Sequence, residues 1–115
     1  MEALLDQLVK LRGVGGCLVV STEGLTMASR LRSDQEEDEI SAQIAELVSR
    51  SMGLCQRCDI GSPRMVHCQF ESGGLAIMAA GPAYLSVLVD PSANLALLQL
   101  ELKPFVEAIA KRLAM

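Results

Sequence analysis

Two hydrophobic periods, one helical and one strand-like, alternate along the chain, and each change of period marks the border of an element. Leu4, Leu5, Leu8 and Leu11 recur at helical spacing opposite Asp6, Gln7 and Lys10. They predict a short amphipathic helix that stops at the turn Gly13-Val14-Gly15-Gly16. Cys17 to Ser21 and Leu25 to Ser29 flank Thr22-Glu23-Gly24, the pattern of an antiparallel hairpin whose first strand is apolar enough to be buried on both faces. Ser33 and Glu36 have capping-box spacing, and Asp34, Glu36, Glu37, Asp38 and Glu39 place negative charge where a helix dipole favours it. A long helix is expected from Ser33 to Cys58, with Ile40, Ile44, Leu47, Ser51, Cys55 and Cys58 on one stripe and Ala45, Val48 and Met52 widening it. A helix lying on a sheet needs an apolar stripe of only about 100°. The extra width fits either a helix sunk deeper in its own core or one that also meets a partner, such as the same helix of a second copy.

After the loop Asp59 to Pro63, Arg64 to Phe70 reads as an edge strand, with Val66, Cys68 and Phe70 on one face and Met65, His67 and Gln69 on the other. Leu75 to Ala80 and Tyr84 to Val89, joined at Gly81-Pro82-Ala83, are apolar on both faces and read as central strands. Beyond Asp90-Pro91-Ser92 a last helix carries Leu95, Leu98, Leu102, Phe105 or Val106, Ile109 and Leu113 on one stripe, with Lys111 and Arg112 near its C-terminal end. Pro104 should kink or divide it. The order αββαβββα describes one α/β (α+β) layer domain over residues 1–115.

Composition sharpens this picture. A chain of 115 residues and 12.3 kDa is one small domain, and 50% apolar residues exclude disorder. With 3% aromatics and no Trp, its core must be built from Leu, Val, Ile, Ala and Met. A mean hydropathy of +0.33 in so small a chain leaves apolar side chains that one core cannot hide, which points to self-association. The net charge of −4 gives no bulk attraction to nucleic acid or to an anionic membrane. Gly74 to Val89 is shorter than the roughly 20 residues of a membrane span and is broken at Gly81-Pro82, so no membrane insertion is expected. Met1-Glu2-Ala3 lacks the basic start of a secretory signal, so a cytoplasmic location and four free thiols are expected.

Candidate chemistry is sparse. Cys55-Gln56-Arg57-Cys58 has the spacing of redox couples and zinc sites. Zinc needs about four ligands, and of the neighbours His67 and Cys68 only one could join, because adjacent strand residues point to opposite faces. A redox couple is expected at a strand-to-helix junction, where the helix N-terminus activates a thiol, whereas this pair lies toward a helix C-terminal end. Core packing is the favoured reading, with a thiol or zinc protein as the enzymatic alternative. His67 is the only histidine and is read as a polar strand residue. Gly13 to Gly16 precedes a strand, whereas a phosphate-binding loop follows one.

The order of elements, Gly13-Val14-Gly15-Gly16 before an apolar strand, Val20-Ser21-Thr22-Glu23-Gly24-Leu25 at the hairpin and Ala93-Asn94-Leu95-Ala96 at the last helix together resemble the Roadblock family over nearly the whole chain. The resemblance implies a profilin-like fold, a five-stranded antiparallel sheet between one long helix and two terminal helices. It also implies a homodimer in which Arg64, Met65, Val66, His67, Cys68, Gln69 and Phe70 pair with their copies while Ala45, Val48 and Met52 bring the second helices together. Bacterial relatives regulate a Ras-like small GTPase. The resemblance therefore implies a non-catalytic regulator without cofactor or metal, contacting a GTPase through Ala42, Ala45, Ser49 and Met52. A scaffold or adaptor subunit is the alternative. Arg50 and Arg57 lie on the polar side of the long helix and are read as solvated side chains rather than as an arginine finger.

Overall fold

The computed structural model describes residues 1–114. It contains α1 (Glu2–Leu8), β1 (Val14–Ser21), β2 (Thr26–Arg30), α2 (Glu37–Cys58), β3 (Met65–Phe70), β4 (Gly73–Ala80), β5 (Ala83–Val89) and α3 (Leu95–Leu113), the expected order αββαβββα. The five strands form one antiparallel sheet in the order β2-β1-β5-β4-β3. Because side chains alternate across a strand, the sheet carries two cores. Leu18, Val20, Ile77 and Tyr84 meet Ile44 and Val48 of α2 on one face. Cys17, Val19, Ala76, Leu85 and Val87 meet Leu5 and Leu8 of α1 and Leu98, Leu102 and Ile109 of α3 on the other. The run Cys17 to Val20 is at most 1% exposed, as burial on both faces requires.

Several borders differ from the sequence reading. α1 stops at Leu8, and Leu11 lies in the turns that follow while still packing against the α1/α3 core. Gly15 and Gly16 belong to β1 rather than to a turn, and β2 starts one residue later than the apolar pattern implies, beside a bulge between Val19 and Val20. The chain reverses at Gly13 instead, with φ +94°, where a Cβ would lie 2.6 Å from that of Ala93. The Ser33/Glu36 capping box does not form. A local turn competes for its residues: the Gln35 N–H donates to the Arg32 carbonyl (3.0 Å), and the Arg32 N–H donates to Gln35 Oε1 (3.1 Å). α2 therefore begins at Glu37, capped by Glu36 without a side-chain bond. Glu37, Asp38 and Glu39 still lie in the first turn, as the dipole favours.

Pro104 neither divides nor ends α3, which runs unbroken from its Asn94 cap. Proline withholds one N–H from the carbonyl four residues before it. That residue is Leu100, 71% exposed, so the carbonyl lies on the solvent side of the helix, where losing a donor costs least.

A candidate interaction surface at the free edge of the sheet

β3 is the last strand of the sheet, and one of its sides is unpaired. Val66, Cys68 and Phe70 share the face of α2, in register with Ile77, Leu75 and Gly73 of β4, while Met65, His67 and Gln69 share the face of α1 and α3. Phe70 is 64% exposed and Met65 39%, so the edge presents apolar side chains on both faces. Edge strands are usually protected by lysines, prolines or bulges. Among the described residues of β3 none of these is present, and its register with β4 is regular.

α2 is displaced from the middle of the sheet and packs chiefly over β1 and β2. Its offset leaves a groove of about 540 Å³ between the helix and the β3 side of the sheet, lined by Ile40, Ile44, Leu47, Phe70, Leu75 and Leu88, with Glu39 and Gln43 at its rim. On the far side of β3 a smaller cavity of about 160 Å³ borders His67, Gln69, Glu71 and Asp90.

The same offset corrects part of the expected dimer contact. Val48 is 4% exposed and packs into the core of its own subunit, so it has no surface left for a partner. Ser41 contacts the Thr26 hydroxyl of β2, and a methyl group at Gly24 would sit 3.4 Å from the Ala45 Cβ. Ala45, and Met52 seven residues on, therefore flank the β1–β2 hairpin rather than the free edge. The side of α2 that does look toward β3 carries Ile40, Gln43 and Leu47, followed by Leu54 at 63% exposed. Periodicity identified the buried stripe but not which flank borders the open groove. Leu54, an apolar residue off that stripe, is the only trace of it in the sequence.

Ala42 and Ser49 are exposed on the outer surface of α2, with Ala45 and Met52 half-buried beside them. Arg50 donates to Glu46 one turn earlier (3.0 Å), an exposed pair on the same helix. Arg57 is exposed in the last turn, where its charge complements the dipole. All four cysteines are free. Cys17 is buried in the α1/α3 core, Cys58 is exposed, and Cys55 and Cys68 are half-buried. Among the described residues no three His, Cys, Asp or Glu side chains come together as a metal site. Burial pushes the Cys17 thiol up to about 11.

The Roadblock/LC7 domain model matches residues 1–89, from α1 through β5. The chain belongs to the Roadblock/LC7 domain family. Its likeness to solved Roadblock/LC7 structures continues through α3. A Roadblock/LC7 domain from Streptomyces avermitilis is 24% identical and superposes with a TM-score of 0.91 over 100% of this chain and 98% of that one. Myxococcus xanthus MglB is 18% identical, with a TM-score of 0.92 over 98% and 94%. An MglB solved in a tetrameric arrangement is 21% identical, with a TM-score of 0.86 over 95% and 84%. At these identities the likeness establishes the Roadblock/LC7 fold. No helix among the described residues is long and apolar enough to cross a membrane.

Proposed function

We propose that this protein is a non-catalytic, cytoplasmic regulator that works as a homodimer and contacts a Ras-like small GTPase through the outer surface of its α2 helices. The observation that carries the reading is the unguarded β3 edge beside an apolar groove, an arrangement that a second copy would cover on both counts. Self-association of the MglB in its tetrameric arrangement supports it. β3 and the preceding Arg64 pair with their copies, and the groove flank of α2 at Ile40, Gln43, Leu47 and Leu54 meets the partner subunit. Ala42 and Ser49, exposed and small, then remain free for the GTPase, with Ala45 and Met52 at the border of that surface.

Two measurements test the reading. The native mass of the purified chain should be twice 12.3 kDa. GTP turnover by a candidate Ras-like GTPase should change on adding the protein and return to its basal rate with Ser49→Glu or Ala42→Glu, both at exposed positions. Binding without a change in turnover would mean a scaffold instead, and an unaltered effect of both variants would move the contact off α2.

A further inference from the structure

The hydrogen bonds within the sheet determine what the free edge of β3 offers. The Ala79 N–H donates to the Arg64 carbonyl at 2.9 Å, and these two residues are opposite each other in the register that pairs Met65 with Met78. In an antiparallel ladder hydrogen-bonded and non-hydrogen-bonded pairs alternate. Arg64, Val66, Cys68 and Phe70 therefore turn their N–H and C=O groups inward to β4, and Met65, His67 and Gln69 turn theirs outward. Closure of the β3–β4 hairpin by the two residues Glu71-Ser72, with Phe70 opposite Gly73, has the same phase. The edge thus exposes six backbone groups on three alternate residues.

Symmetry restricts how a second copy can meet them. A two-fold axis that relates adjacent antiparallel strands stands perpendicular to the sheet, so both α2 helices lie on one side. Opposed residues in such a pair point to the same face, so odd positions face odd and even face even. A residue, rather than a gap between residues, must therefore lie on the axis. With Cys68 there, His67 faces the partner's Gln69, but Met65 faces Glu71 in the turn and its two groups are left over. With Val66 there, Met65 faces the partner's His67, and Gln69 is left over opposite Pro63. With His67 there, His67 bonds its own copy and Met65 bonds the partner's Gln69 twice over, so all six groups on each strand are paired.

Resting on the homodimer proposed above, we propose that β3 pairs with the β3 of a second copy in the register that places His67 on the two-fold axis. The two imidazoles then lie side by side on the α1/α3 face. Val66 faces the partner's Cys68 beneath the α2 helices in two close, non-hydrogen-bonded pairs, and Arg64 lies opposite the partner's Phe70, where a guanidinium over an aromatic face is favourable.

Disulfide trapping reads this register. Non-hydrogen-bonded pairs place Cα atoms about 4.5 Å apart and hydrogen-bonded pairs about 5.5 Å, both within the roughly 4.4 to 6.8 Å that a disulfide spans. In a Cys55→Ser, Cys58→Ser background, oxidation with copper phenanthroline should leave the protein monomeric on a non-reducing denaturing gel. Adding Val66→Cys should shift the bulk of it to a covalent dimer that is lost again with Cys68→Ser. His67→Cys, at an exposed position, should cross-link to itself in the Cys68→Ser background. A covalent dimer from Cys68 alone would put Cys68 on the axis and overturn the register, as would a Val66→Cys dimer that persists without Cys68. A dimeric native mass with no cross-link in any variant also overturns the register but leaves the dimer standing. A monomeric native mass overturns the dimer itself.

Discussion

Ser86 lies at the centre of β5, fully buried on the face of α2, and its hydroxyl has no hydrogen-bond partner among the described residues. A buried unpaired hydroxyl costs about 1 to 3 kcal/mol of desolvation. Ser86→Ala removes that group with little loss of volume, so chemical denaturation should show stability unchanged or raised by up to about 1 kcal/mol. Cys17 gives a pH-dependent counterpart. Its thiol is raised to about 11 by burial, so the native state holds its proton more tightly than the unfolded chain does. The stabilisation is complete below the ordinary thiol range and disappears as pH rises through the native value. Unfolding midpoints should therefore fall between about pH 9 and pH 11, and Cys17→Ala should flatten that fall. In the native protein a thiol reagent should label Cys58 first and Cys17 only on unfolding.

At the scale of elements, α1 is held to β2 by Arg30, which donates to Asp6 at 2.6 Å and also contacts Glu2. The hydrogen bond from Arg30 holds the Asp6 carboxyl below its ordinary range. A depressed carboxyl pKa stabilises above the unfolded value and loses that effect as pH falls through the native one. Asp6→Asn should remove this contribution near neutral pH, visible as faster amide exchange in α1, and the variant should be less sensitive to acid than the parent. In α3, Pro104→Ala restores an N–H to the Leu100 carbonyl and should raise stability by about 1 to 3 kcal/mol in a thermal melt. Sequence periodicity revealed all eight elements because each buries a stripe or a face that repeats with its own period. Three features lay beyond it for physical reasons. The Ser33/Glu36 box lost to a turn that ties Arg32 to Gln35, Pro104 was tolerated because the carbonyl it leaves bare lies on the solvent side, and the groove flank of α2 depends on where the helix sits across the sheet, which no local pattern encodes.

At the scale of the molecule, the groove and the free edge form one continuous surface, since Phe70 belongs to both. In the proposed dimer, Phe70→Lys should therefore lower the native mass to that of a monomer while the far-ultraviolet circular dichroism stays that of the parent, because a residue 64% exposed contributes little to its own core. The free edge was legible in the mixed faces of β3, but Val48 looked available until the offset of α2 placed it in the core of its own subunit.

The opposite end of the sheet is built differently. β2 carries a bulge in its pairing with β1, and it ends in Arg30, tied down by two carboxylates of α1. Bulges and fixed charges are poor templates for another strand. In the proposed dimer, a ribbon with one receptive margin and one blocked margin accepts a single addition and then has nowhere to grow, so strand pairing would end at a closed pair of subunits instead of running on into a fibre. In that arrangement the bulge and the Arg30 clamp act as chain terminators.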